Sequence, residues 1–220
     1  MEINQLLREI RRSLNDQTEY NIVPKLPPHL INCSKEELEG AITNTIEVLV
    51  EKRGISYIDI SGAEMETKIH GVTSWLLGPP YRTCLLLQGN PGTGKTTLLE
   101  ALYKLYTAGN ASITLTTGIA LREAFVRQVA GTSCAYEEYK RMSRLCIDEL
   151  GTEPSRCQLY GTDYTPIQDL LAYRYAKQLP TMITTNLTDD MICERYGKRI
   201  SDRFAEMCSI LRFSGQSYRM

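Results

Sequence analysis

Cys84-Leu85-Leu86-Leu87-Gln88-Gly89-Asn90-Pro91-Gly92-Thr93-Gly94-Lys95-Thr96-Thr97 decides the fold of this 220-residue chain. The run opens apolar over a length suited to a buried strand, turns on glycines, and continues into Leu98-Leu99, where a helix begins. Gly89 to Thr96 matches G-x-x-x-x-G-K-[ST] in full, in the strand–turn–helix context the motif requires. Glycines let the backbone fold until several N–H groups converge on phosphates, and the helix behind adds its N-terminal dipole. Lys95 supplies a point charge for the β- and γ-phosphates, and Thr96 a hydroxyl for Mg²⁺. The expectation is an ATP and Mg²⁺ site, with Asn90, Pro91, Thr93 and Thr97 completing the set around Gly89, Gly92 and Gly94.

Outward from this motif, short apolar runs alternate with helical stretches. Strands are expected at 84–88, 112–117, 144–150 and 181–186, and helices at 95–107, 118–129, near 165–177 and near 197–208. The last residues, RFSGQSYRM, add an edge strand. Such alternation predicts an α/β fold with a mostly parallel sheet. Upstream of Gly78-Pro79-Pro80 the pattern changes, which sets a boundary near residue 79. There, Ile3, Leu6, Leu7, Ile10 and Leu14 form one stripe at helical spacing, NIVPKLPPHL reads as an extended linker, and ISYIDI (55–60) as a short strand. Ser34 and Glu37 form a capping box that opens a helix through Arg53, and 64–77 reads as another helix.

Composition narrows the classes. Hydrophobic residues at 42% and charged residues at 23% exclude wholesale disorder. No apolar run approaches the ~18–20 residues of a membrane helix, and the opening MEINQLLREIRR has no signal-peptide core. Lys+Arg 25 against Asp+Glu 26 leaves a net charge of −1, so a globally basic nucleic-acid binder is not indicated. Seven scattered cysteines without C-x-x-C, and two histidines, provide no zinc spacing. Their scatter points to reduced thiols and hence the cytoplasm.

Three further elements carry chemistry. Arg144-Leu145-Cys146-Ile147-Asp148-Glu149 is an apolar run ending in two acids, which a parallel sheet would present at its carboxyl edge. Asp148 suits Mg²⁺, and Glu149 suits polarising a water for attack on the γ-phosphate. Small-molecule P-loop kinases usually lack an acid in that place. Thr181 to Asn186 is another strand ending in a polar group, and Asn186 can orient the attacking water or bond the γ-phosphate. Arg195, Lys198, Arg199 and Arg203 crowd one segment. Arg199 and Arg203 share a helix face and could serve a neighbouring subunit's ATP.

With these elements assembled, the chain resembles the AAA+ ATPases of the DnaC/IstB type, helicase loaders and transposition helpers. WLLGPPYRTCLLLQGNPGTGKTTL, CIDELGTEP, YRYAKQLPTMITTNL and YGKRISDRFAEMC…FSGQSYR carry the resemblance, across about 75–220. It implies a P-loop AAA+ core with a parallel sheet flanked by helices, without a C-terminal lid. A small helical N-terminal region (1–78) precedes the ATPase domain (79–220). It implies that Lys95 and Thr96, then Asp148 and Glu149, form the two nucleotide motifs. Asn186 would be the first sensor and Arg203 the arginine finger, with Arg199 its companion. The implied activity is ATP hydrolysis by a loader that delivers a replicative helicase, held by the N-terminal extension, to single-stranded DNA. Self-association would occur through the ATP sites, and Arg122, Arg127, Lys140 and Arg141 are the candidate DNA contacts. An IstB-like transposition helper is the nearest alternative, and a small-molecule P-loop kinase or a nucleotide-binding scaffold are further ones.

Overall fold

The computed structural model describes residues 25–26, 28–54, 63–78, 82–154 and 156–215. The 3–14 stripe, the 55–60 strand, the Pro79-Pro80 break and the final SYR lie outside them. Five strands form one sheet: β1 (Cys84–Gly89), β2 (Thr114–Thr117), β3 (Leu145–Leu150), β6 (Thr181–Thr185) and β7 (Cys208–Phe213), in spatial order β2-β3-β6-β1-β7. Every pairing is parallel. A two-stranded antiparallel hairpin, β4 (Cys157–Leu159) and β5 (Thr162–Tyr164), stands apart from it.

The helices are α1 (Lys35–Glu51), α2 (Ala63–Leu77), α3 (Lys95–Ala108), α4 (Gly118–Val129), α5 (Ala135–Arg141), α6 (Pro166–Ala176), α7 (Asp189–Tyr196) and α8 (Lys198–Met207). They cover both faces of the sheet, which is why the central strands read as nearly unbroken apolar runs. Side chains alternate across each strand. Leu85 and Leu87 of β1, Cys146 of β3 and Met182 of β6 enter one core with α1, α2 and α3. Cys84 and Leu86, with Leu145, Ile147 and Ile183, enter the other, beneath α4, α6, α7 and α8. The expected mostly parallel sheet flanked by helices is therefore present.

The capping box at α1 forms as the spacing predicts. The Glu37 N–H donates to Ser34 Oγ at 3.2 Å, and the Ser34 N–H to Glu37 Oε2 at 2.7 Å. α1 buries Ile42, Ile46, Leu49 and Val50 in the same core as β1 and α3. α2 approaches β7 closely at Gly71, where a Cβ would lie 2.6 Å from Leu211 Cδ2.

Some expectations shift. The final strand starts at Cys208 rather than within RFSGQSYRM, and it pairs with β1 along its whole length. Within the proline-rich linker, Pro28–Leu30 is a 3₁₀ turn. There Lys25 is buried and donates to the Trp75 carbonyl at 2.5 Å. Burial lowers the Lys25 pKa to about 8. No helix among the described residues is long and apolar enough to cross a membrane.

Candidate active site

All five strands point the same way, so their carboxyl ends share one edge, where ligands bind in open α/β sheets. Register sets the neighbours there. Gln88 faces Thr185, Gly89 faces Phe213, and Thr117 faces Asp148.

The phosphate loop lies between β1 and α3. Gly89, Gly92 and Gly94 have φ of 147°, 80° and 90°, a region where side chains are strained. A Cβ on Gly89 would also come within 2.0 Å of the Phe213 carbonyl oxygen. Gly94 is the N-cap of α3 and offers no side-chain acceptor, and no acid lies in the first turn. The positive end of α3 is thus left for an anion. Lys95 is 6% exposed, and its ammonium donates to the Gly89 carbonyl at 2.8 Å and the Asn90 carbonyl at 2.5 Å. The Thr93 hydroxyl donates to the same Asn90 oxygen at 2.8 Å. The Lys95 amine is therefore held inside the curve of the loop.

The acidic pair meets this loop directly. The Thr96 hydroxyl donates to Asp148 Oδ1 at 3.0 Å, and the Thr184 hydroxyl donates to the same oxygen at 2.6 Å. Thr184 Oγ1 in turn accepts the Glu149 N–H at 2.8 Å. A buried threonine on β6 thus fixes both acids, a role the sequence reading missed. The β3–β6 register shifts between Ile147 and Leu150. Inside that bulge Glu149 takes φ 54° and its side chain is exposed. Bulges re-aim side chains, and this one turns Glu149 out of the sheet. Left-handed backbone at a non-glycine costs on the order of 1–3 kcal/mol and persists where surrounding bonds over-determine it.

Asn186 follows β6 and is exposed at the same edge. Its flanks are tied down: Thr185 Oγ1 donates to the Leu150 carbonyl at 2.7 Å, and Gln88 Nε2 donates to the Leu187 carbonyl at 2.8 Å. Thr97 is buried, and its hydroxyl accepts from Arg53 Nη1 at 3.1 Å, while Arg53 also pairs with Glu100. The chain leaving α1 therefore touches the first turn of α3.

α8 buries Ile200, Phe204 and Met207 and leaves Lys198 and Arg199 exposed. Arg203 is half-buried. Its guanidinium carbon lies 4.8 Å from the Tyr175 ring centroid, and Nη1 is buried without a hydrogen-bond partner among the described residues. Arg195 departs from the basic cluster that the sequence suggests. It turns inward, with Nε 3.6 Å from Glu153 Oε1. Among the candidate DNA contacts, Arg127 pairs with Glu123, and Lys140 and Arg141 both pair with Glu137.

Two buried charged groups carry no spacing signal. Glu153 is 2% exposed. Arg174 is fully buried and donates to Thr181 Oγ1 and to the Met142 and Pro180 carbonyls at 2.7–2.8 Å. Burial lowers the Arg174 pKa to about 9.

The donor set fits Mg²⁺. One carboxylate and one hydroxyl converge beside a phosphate loop, and this ion characteristically completes its shell with substrate phosphates and water.

The architecture matches solved AAA+ proteins. DnaI is 21% identical with a TM-score of 0.54, over 72% of this chain and 86% of that one. The DnaC helicase loader is 19% identical with a TM-score of 0.55, over 70% and 92%. A replication initiator DnaA bound to AMPPCP and single-stranded DNA is 16% identical with a TM-score of 0.57, over 73% and 50%. No family model matches the sequence. No curated protein matches it either. The chain has a DnaC-type AAA+ fold.

Proposed function

We propose that this chain is an ATP-hydrolysing helicase loader that uses ATP to deliver a replicative helicase to single-stranded DNA. The observation that carries this reading is the continuous bond path from the phosphate loop through Thr96, Asp148 and Thr184 to the Glu149 backbone, on this fold. Lys95 and the loop N–H groups bind the β- and γ-phosphates. Thr96 and Asp148 hold Mg²⁺, which when bound neutralises charge on those phosphates. Glu149, turned out by the bulge, accepts a proton from the attacking water, and Asn186 orients that water.

Arg203 is the arginine finger offered to a neighbouring subunit, with Arg199 beside it on the same helix. A finger contributes roughly 10³–10⁵ in rate, so the isolated subunit hydrolyses ATP slowly. ATP drives loading because it favours one assembly state over another. The ATPase domain is taken as residues 79–220 and the helicase-holding extension as 1–78. α1 and α2 spend their apolar faces on the ATPase core, so their outer surfaces and the residues before them are left to the helicase. DNA contact through the basic residues of α4 and α5 is modest and salt-sensitive, since most already face a carboxylate.

The test captures the cognate replicative helicase with ATP present, and measures turnover with and without single-stranded DNA. Capture by the full chain, with turnover lost in Arg203→Ala at high protein concentration and ATP binding retained, supports the reading. Absence of capture with normal turnover refutes the loader and brings the transposition helper forward, with a transposase as the next bait.

A further inference from the structure

Glu153 is a carboxylate with 2% exposure, four residues past the proposed base, and the chemistry described above does not use it. Three elements converge on it. The Gly151 N–H, in the turn leaving Glu149, donates to Glu153 Oε2 at 2.9 Å. The Tyr196 hydroxyl, at the end of α7, donates to Oε1, and Arg195 pairs with the carboxylate and donates to the Glu153 carbonyl. The third is the start of α4, where a Cβ on Gly118 would lie 2.2 Å from Oε2 and 3.5 Å from the Glu149 carbonyl.

The connections beyond these bonds matter more than the bonds. Gly151 lies two residues from Glu149. Tyr196 lies one residue before Gly197, the N-cap of α8, whose arginines are at 199 and 203. Gly197 makes this junction tight. Its φ is 84°, and the Ile200 and Ser201 N–H groups both bond its carbonyl. A displacement of the Glu149 turn thus reaches the base of the arginine helix through one buried carboxylate, bonded by Gly151 on one side and by Tyr196 on the other. A solvent-exposed carboxylate would let it dissipate, but a buried one tolerates few alternative arrangements of its partners.

We propose that Glu153 is a positioning residue that couples the Glu149 turn of one subunit to the arginine helix that the same subunit offers its neighbour. Nucleotide state at one site then sets finger posture at the next. The inference rests on the proposed trans role of Arg203.

The experiment uses full-length chains mixed in pairs. Glu149→Gln subunits lack the base and keep the finger; Arg203→Ala subunits lack the finger and keep the base. The mixture recovers turnover that neither variant has alone. Glu153→Gln is then added to one partner at a time. Glutamine keeps the volume but has a single acceptor oxygen, so Gly151 N–H and Tyr196 O–H cannot both be satisfied. Gly118→Ala, which pushes on the carboxylate from the α4 side, is the second perturbation.

The expected result is a fall in maximal turnover of about tenfold or more with Glu153→Gln in either partner, with Kd for ATP within about twofold. Gly118→Ala gives the same split between turnover and affinity. A parent mixture without recovery refutes the trans reading and the coupling with it. Recovery that Glu153→Gln leaves unchanged in the finger-donating partner refutes the coupling alone. Equal losses in turnover and ATP affinity make Glu153 merely structural and also overturn it.

Discussion

Thr184→Val removes one oxygen from the floor of the site and changes little else in volume. Thr184 is 1% exposed, so water does not replace the lost hydroxyl. Two bonds disappear. One is a short donation to the Asp148 carboxylate at 2.6 Å, a charge-assisted bond that contributes about 1.5–3 kcal/mol. The other accepts the Glu149 N–H at 2.8 Å and contributes about 1 kcal/mol. Asp148 is half-buried and recovers part of its loss from solvent. The net destabilisation is therefore about 2–3 kcal/mol, which lowers Tm by about 4–12 °C for a chain of this size. Glu149 also loses the bond that holds its left-handed backbone, so maximal turnover falls by about 10–100-fold. ATP affinity, set by the phosphate loop, stays within about threefold. Thermal unfolding followed by circular dichroism, titration with a fluorescent ATP analogue and steady-state turnover measure the three quantities. Thr184→Ser keeps the hydroxyl and most of the activity. A Thr184→Val protein that melts within ~1 °C of the parent and turns over at the parental rate would refute the role given to this residue.

Gly89→Ala suffers twice, from a φ of 147° and from overlap with the Phe213 carbonyl, so it loses about 3 kcal/mol or more in urea unfolding. Arg174→Met leaves the Met142 and Pro180 carbonyls without their donor and lowers stability by about 3 kcal/mol, read in the same assay, with little change in ATP affinity. Lys95→Ala removes the charge inside the loop and weakens ATP binding by about 100-fold in the fluorescence titration. Asp189 has a carboxyl held below its ordinary value by the Gln88 amide first and then by Arg212. Its stabilisation is complete above the unfolded value and drains away as pH falls through the folded one. The stability gap between the parent and Asp189→Asn, about 0.5 kcal/mol for so exposed a pair, is full at neutral pH and closes on acidification.

What the sequence revealed and what it hid follow from one distinction. Strands buried on both faces announce themselves as apolar runs, so β1, β3 and β6 were legible, as were the phosphate loop and the acids after β3. Cys208 looked like the end of a helix because Ile200, Phe204 and Met207 carry the helical period right up to it. Short elements were harder to see. α7 is a single charged segment, DDMICERY, and buries only Ile192 and Tyr196. The hairpin's one signal is Tyr160-Gly161, whose φ values of 51° and 79° form its tight turn. The buried polar groups were hidden for another reason. Thr184, Glu153 and Arg174 each have a partner 32–43 residues away, where spacing along the chain carries no information.

The strand order has a consequence for synthesis. β1 sits between β6 and β7, and these are the last two strands of the sheet to leave the ribosome. Until residue 181 emerges, Cys84–Gly89 has both edges unpaired. Its run of three leucines is then an uncharged, β-prone segment of the kind that associates with other chains. Phe213, which pairs with Gly89 at the start of the nucleotide loop, arrives last of all. Nascent chains halted near residue 170 should therefore recruit holding chaperones at this strand, while chains released past residue 215 should bind ATP.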